Sequence, residues 1–374
     1  MAVSATDTKP ASLDQGSSGR LMSLDALRGF VMFWIIGGDA QFASLDRLGS
    51  TGWAAVIAAQ LHHVAWEGLH FYDLIFPLLL FVVGVSLVFS LDRIVERSGK
   101  RAAVRRILRR AAAIYLLGVF YDGGIADWRQ ENILCGVLQR IALCYLLAGL
   151  LYLRVRLRGL VVLVCVTLIG YWALLSFVPA PGEPAASFAR NHNWSDRIDI
   201  LLPPYHHRDP EGLLSTFPAT CSTILGIFAG LLLKSPRLDE RRKARLMFAG
   251  GSVLLVLGLL WGLQFPIIKR IWTSSYVLAT GGTSLLALGL FYTAIERWNR
   301  RRWAVPFVWI GANPLTLYMV GNMVDMEGLA RRLVGGDLER ALGVYGGLLV
   351  TATAMGMMLA LAQFLYRRRI FLRL

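Results

Sequence analysis

The sequence predicts an all-α, polytopic membrane protein, and three observations carry that prediction. Of 374 residues, 56% are hydrophobic and only 17% charged, too little polar surface to clothe a soluble domain. Apolar stretches long enough to cross a bilayer recur along the chain, at about 25–45, 69–91, 104–122, 133–153, 159–179, 213–233, 246–265, 272–294, 304–323 and 342–366. The connections between these ten predicted spans alternate in charge. One side carries Lys9, Arg20 and Arg28, the run Arg93–Arg110, Arg154, Arg156 and Arg158, then Lys234–Arg245, Arg297–Arg302 and Arg367–Arg373. The positive-inside rule places that side, and both termini, in the cytoplasm. The net charge of +15 is therefore read as a topology signal, since no continuous basic patch suited to nucleic acid is formed.

Residues 1–20 are rich in Ser, Thr and Gly and lack an apolar core, which predicts a disordered cytoplasmic tail and no cleaved signal peptide. No soluble domain or fixed-period repeat interrupts the rest, so 21–374 reads as one transmembrane domain. In span 1, Ser23 is placed to cap the helix, Asp25 to complement its dipole, and Arg28 to snorkel to the cytoplasmic headgroups. Gly37-Gly38-Asp39 follows roughly 20 Å up the helix. A carboxylate at that depth needs an ion-pair partner or a polar cavity.

Span 2 opens with a cluster of titratable and aromatic groups, His62, His63, Trp66, Glu67, His70 and Asp73. If helical from His63, the segment presents His63, Glu67 and His70 on one face. Pro77 removes the hydrogen bond that the Asp73 carbonyl would accept, so a kink and a free acceptor are expected there. An interfacial cap is the plainer reading of such a cluster. Ionisable groups at the mouth of a span are costly, which favours a functional site.

In span 4, Gln139-Arg140 near the outer end predicts either an ion pair, with Asp39 or Asp73, or a contact to an anionic ligand. The connection 180–211 is the longest on the outer side and mixes Asn, Asp, Trp, Tyr and His, as a binding loop would. It ends in Asp209-Pro210-Glu211-Gly212, and Asn313-Pro314 predicts a polar kink in span 9. All six histidines (His62, His63, His70, His192, His206, His207) fall on the outer side. The four cysteines lie in or beside apolar segments without CxxC spacing, which argues against a disulfide framework or a zinc site.

The order LDALRG…GGD, HxxWxGLxxxDLxFPxxxFxxGxS, VLQRI, DPEGLLST, WTSSYVL and GANPLTLY resembles the heparan-α-glucosaminide N-acetyltransferase family, most closely its bacterial branch. The resemblance covers almost everything after residue 20. It implies a membrane enzyme that takes acetyl from cytosolic acetyl-CoA and delivers it across the bilayer to a glucosamine amine. The family's essential histidine, three residues before the Trp, corresponds to His63. The Asn or Asp ten residues after the RG corresponds to Asp39, and the span 2 aspartate to Asp73. Glu67 stands where the animal enzymes resemble Asn. The outer loop lacks cysteines, and the large lumenal N-terminal region and extra first span of those enzymes have no counterpart in this chain.

The expected catalytic residues are thus His63, Asp39 and Asp73, with His63 as general base or covalent acetyl relay. Trp66, Glu67, His70, Asn193, Asp209 and Glu211 are the expected contacts to the sugar. Gln139, Arg140 and Asn313 are the expected contacts to acetyl-CoA, Arg140 or Asn313 polarising the thioester carbonyl. No metal is expected. The resemblance also implies a homodimer and a site in the bacterial inner membrane facing the periplasm. An amino-sugar transporter is the alternative, though no second copy of the His-Trp-Asp block suggests the paired halves of a permease.

Overall fold

The structure is a computed structural model, and it describes residues 21–38, 52–122, 135–201 and 211–371. Among these the chain is helical without strands. The helices are α1 (Met22–Phe33), α2 (Trp53–Leu61), α3 (Ile75–Tyr121), α4 (Val137–Arg154), α5 (Leu157–Phe177), α6 (Trp194–Leu201) and α7 (Thr216–Lys234). They continue as α8 (Glu240–Gly262), α9 (Ser274–Tyr292), α10 (Val305–Ala312), α11 (Pro314–Met323), α12 (Met326–Val334), α13 (Asp337–Ala341) and α14 (Gly346–Arg367). Seven described helices are long and apolar enough to cross a membrane, or eight if Arg302–Ala312 and Pro314–Met323, bent by 72°, form one span.

Two of the ten predicted spans, 69–91 and 104–122, lie in one helical stretch, Phe71–Tyr121, interrupted at Gly99 (φ 79°, ψ 171°). Side-chain contacts fix the direction of its arms. Asp92 accepts hydrogen bonds from Tyr152 and Lys234, at the C-terminal ends of α4 and α7, whereas Gly118 lies against Gln139 at the start of α4. At 1.5 Å per residue, Gln139 and Tyr152 are about 20 Å apart. A continuous helix would separate Asp92 from Gly118 by about 39 Å, whereas reversal at Gly99 leaves about 18 Å. The chain therefore descends along the first arm of α3 and returns along the second.

The predicted span 25–45 is helical over Met22–Phe33 and then enters a π turn, Trp34–Gly38, with Gly37 at φ 131°. Ser23 is not the cap. Leu21 holds that position without a side-chain bond, and the Ser23 amide donates to Glu296 Oε1 at 3.1 Å. Arg28 turns inward and does not snorkel: it donates to Asp25 Oδ1 at 3.0 Å and to Ser86 Oγ at 2.5 Å. Between packed helices, these oxygens satisfy the guanidinium better than apolar surface would.

Glycines set the closest helix contacts. A Cβ on Gly84 of α3 would overlap the Thr223 carbonyl of α7, and one on Gly226 of α7 would overlap the Phe81 carbonyl of α3. Backbones in contact gain dispersion energy that apolar lipid cannot match, which is why small residues mark such crossings. Around this core, α5 and α8 present Val162, Val166, Ile169, Val253, Val256 and Leu260 outward, a surface suited to lipid. Gly226→Val is expected to lose about 1–3 kcal/mol through overpacking. Gly170→Val, whose Cβ meets nothing within 4 Å, is expected to leave stability unchanged. Thermal melts of the two detergent-solubilised variants check the contrast.

Candidate functional site

The site is assembled at the end of the bundle where α3, α4, α7 and α9 begin. Residues 62–70 there are not helical, so the predicted His63/Glu67/His70 helix face does not form. The reason is Asp73. It occupies the first turn of a 3-10 segment, Phe71–Leu74, and its Oδ2 accepts the backbone amides of Val64 (3.3 Å) and His70 (3.2 Å). Two amides drawn to one carboxylate oxygen hold the preceding chain in a loop around it. The Asp73 carbonyl, freed by Pro77 as expected, accepts the Tyr276 hydroxyl at 2.7 Å.

The other carboxylate oxygen, Oδ1, lies 2.7 Å from His63 Nδ1. A carboxylate already accepting two amides acts here as acceptor too, so Nδ1 donates and Nε2 is left with its lone pair. Asp73 is 2% exposed while the His63 side chain is 51% exposed. The orienting group is buried and the working group is reachable.

A third charge completes the cluster. Lys269 Nζ stands 3.0 Å from His63 Nδ1, 3.2 Å from Nε2 and 3.4 Å from Asp73 Oδ1. It is carried on the connection between α8 and α9, which side-chain hydroxyls pin in place. Ile268 N donates to Thr273 Oγ1 at 3.1 Å, Ser275 Oγ to the Pro266 carbonyl at 3.2 Å, and Tyr171 to the Ile271 carbonyl at 2.6 Å. The Gly68 amide donates to the Ile267 carbonyl at 2.9 Å, joining this connection to the histidine loop. Trp272, fully buried with a left-handed backbone (φ 51°), donates to Ser222 Oγ at 3.2 Å. Burial pushes the Lys269 ammonium below the ordinary lysine range, and Asp73 and Glu211 oppose that shift.

Arg140 is fully buried beside this cluster. It pairs with Glu211 (3.3 Å), not with Asp73, and donates to the Gly212 carbonyl (2.7 Å), Ser215 Oγ (2.5 Å) and the Glu211 carbonyl. Its guanidinium lies 5.0 Å over the Trp272 ring. Trp272 packs edge-on against Tyr276 at 5.2 Å. Trp272 and Tyr276 lie between Arg140 and the Asp73 carbonyl, and Glu211 faces Arg140 as its counter-ion. Gln139 donates to Asp122 Oδ2 at 2.8 Å.

The remaining expected residues separate. Trp66 donates to the Phe188 carbonyl at 3.0 Å, tying the histidine loop to the outer connection, and Glu67 is exposed on the same loop. His70 Nδ1 donates to the His62 carbonyl at 2.9 Å. Asn193 stands immediately before α6. Its amide donates to Asp196 Oδ2 (2.7 Å) and accepts the Asp196 backbone N–H (3.0 Å), capping α6. Asn313 lies at the bend between α10 and α11 and donates to the Ile370 carbonyl at 2.9 Å. That bend adjoins Gly311, which accepts from Arg28, itself bonded to Ser86. Ser86 is 13 residues along α3 from Asp73 (86 − 73 = 13), about 20 Å away, so Asn313 does not join the His63 cluster. Asp39 and Asp209 lie outside the described residues. Two concavities, of about 240 and 490 Å³, open beside Gly37. His63, Asp73 and Lys269 line neither.

Sequence reasoning did not single out Lys269. A signal for it existed: Lys269 and Arg270 stand immediately before the WTSS stretch on the side where cations are scarce.

A helical bundle with several membrane-length spans defines a multi-pass membrane protein, here with a His63–Asp73 hydrogen bond at one mouth. The family profile described as heparan-alpha-glucosaminide N-acetyltransferase, catalytic, matches residues 20–260, and the chain belongs to that family. It is similar to heparan-alpha-glucosaminide N-acetyltransferase of Mus musculus, 25% identical over 375 residues, covering 83% of this chain and 54% of the mouse protein. The Homo sapiens protein of the same name is 25% identical over 370 residues, covering 82% of this chain and 53% of its own. The chain thus spans about half the length of the curated relatives it matches. His63, Asp73, Arg140 and Glu211 fall inside the matched region, whereas Lys269 and Asn313 follow it.

Removing Glu211 leaves a buried guanidinium without its carboxylate. Glu211→Ala is expected to destabilise the protein by about 3–5 kcal/mol, and Arg140→Met combined with Glu211→Leu by much less. Unfolding of the two variants in detergent, compared with wild type, tests that ordering.

Proposed function

We propose that this chain is a membrane acetyltransferase, moving acetyl from acetyl-CoA to the amine of a glucosamine-type sugar with His63 as base or acetyl relay. The observation that carries the reading is the His63 Nδ1–Asp73 Oδ1 hydrogen bond of 2.7 Å between a reachable imidazole and a buried carboxylate. Such a pair fixes the tautomer, presents Nε2 outward and balances the positive charge the ring acquires in turnover. Family membership supplies the group transferred and the class of acceptor.

In this proposal the chain crosses the bacterial inner membrane ten times. The reversal at Gly99 and a first span beginning at Met22 add to the eight spans counted by length. Both termini are cytoplasmic and His63 faces the periplasm. Acetyl-CoA enters from the cytoplasmic side with its phosphates at the basic connections Arg93–Arg110 and Lys234–Arg245, and a homodimer is the working assembly. Trp66 holds the outer connection over the histidine loop, where the sugar docks, Glu67 being exposed beside it. Asp39 keeps the catalytic role and Asp209 the sugar contact expected from the sequence.

The test mixes purified protein in detergent with labelled acetyl-CoA and glucosamine. Wild type is expected to yield acetylated amino sugar. His63→Ala is expected to yield none while keeping its helical circular dichroism, and Asp73→Asn to lose about 10²–10⁴-fold in rate. Full activity in His63→Ala would remove His63 from the chemistry. If wild type transfers no acetyl, the acetyltransferase reading falls and amino-sugar uptake into vesicles becomes the competing assay.

A further inference from the structure

We propose that Lys269 is a catalytic residue of this site, its ammonium donating to the oxyanion that forms when a nucleophile adds to an acetyl carbonyl beside His63 Nε2. The proposal rests on the acetyl-transfer reading above and adds a group that the sequence motifs do not contain.

The geometry separates two directions at one atom. Lys269 Nζ is 3.0 Å from His63 Nδ1 and 3.2 Å from Nε2. An atom nearly equidistant from both ring nitrogens lies off both in-plane lone-pair axes. In the ring plane it would collide with the carbon between them, so the ammonium stands over the imidazole face. The in-plane approach to Nε2 is left open. A carbon bonded to Nε2, or to an amine held there, carries its oxygen out of the ring plane, towards the ammonium. Oxyanion donors act at roughly 2.7–3.1 Å from the developing charge, a range that a group 3.2 Å from Nε2 reaches.

The electron count closes in both branches. In the relay branch the Nε2 pair forms a C–N bond and the carbonyl π pair moves to oxygen, where Lys269 donates. Collapse restores the carbonyl, breaks the C–S bond and releases the CoA thiolate. The amine then adds to the acyl-imidazolium carbonyl, the C–Nε2 bond breaks with its pair returning to Nε2, and Nε2 takes the amine proton and passes it to the thiolate. In the direct branch Nε2 takes the amine proton as nitrogen attacks, the same oxyanion forms, and the same thiolate leaves. Lys269 keeps its own proton throughout, and Asp73 balances the charge on the ring.

A counter-ion for Asp73 is the competing role, at 3.4 Å, and the two roles part in their pH behaviour. The charged groups facing Lys269 are Asp73 and His63 from the histidine loop, Glu211 from the entrance to α7, and Arg270 beside it. Burial lowers the pH at which Lys269 gives up its proton. If the ammonium acts in turnover, activity falls as pH rises through that lowered value, short of the ordinary lysine range. An arginine stays charged there.

The experiment measures acetyl transfer from acetyl-CoA to glucosamine against pH, using the full chain as wild type, Lys269→Met and Lys269→Arg, with a melt of each. Lys269→Met is expected to lose about 10²–10³-fold in kcat with KM for acetyl-CoA little changed. Lys269→Arg is expected to recover part of that loss and to shift the alkaline limb upward. A Met variant with wild-type kcat, a loss confined to KM, or an Arg variant with an unshifted alkaline limb overturns the assignment while acetyl transfer stands. A wild type that transfers no acetyl removes both readings. If the Met variant melts early, the alkaline limbs of wild type and the Arg variant decide.

Discussion

Asp73 carries a carboxylate that is 2% exposed at the first turn of a membrane-length helix, and much of that end of the bundle follows from keeping that charge satisfied. A carboxylate withdrawn from water costs several kcal/mol unless hydrogen bonds and opposite charge replace its hydration. Two backbone amides, one imidazole N–H and one ammonium do so here. The amides come from Val64 and His70, which explains why 62–70 is a loop when its spacing suggests a helix. The imidazole and the ammonium come from elements far apart in sequence, which explains why the connection between α8 and α9 is bonded to the histidine loop. One buried charge thus organises both the local backbone and the long-range contact that brings base and cation together.

Arg140 imposes a similar demand one layer deeper. A guanidinium with no exposure needs acceptors on several sides, and it finds them at the entrance to α7, in Glu211, Gly212 and Ser215. The Trp272 ring covers its face, and Tyr276, packed on that ring, bonds the carbonyl of Asp73. The two buried charges are thus bridged by an aromatic pair. Below them, the glycine contacts of α3 with α7 hold the helices close enough for these side chains to meet.

The sequence was legible where chemistry acts locally. Hydropathy marked the chain as a bundle of membrane-length helices, Pro77 forecast a free Asp73 carbonyl, and the run from His62 to Asp73 marked the mouth where the His63–Asp73 pair forms. It was misleading where a tertiary partner competes with periodicity. The i, i+4, i+7 spacing of His63, Glu67 and His70 lost to the pull of Asp73 on the backbone. Arg28 found oxygen acceptors on α3 and α10 instead of headgroups.

What the sequence by itself determined is the class of the protein and the stretch, His62 to Asp73, in which the imidazole–carboxylate pair forms. Apolar length and titratable residues at a span mouth are properties of the chain that no packing arrangement removes. What only the tertiary structure decided is which charges meet. Asp73 finds Lys269, 196 residues away (269 − 73 = 196), and Arg140 finds Glu211, 71 residues away (211 − 140 = 71). An ion pair in a low-dielectric interior forms between whichever groups the helix packing brings within about 4 Å, and sequence spacing does not encode that distance.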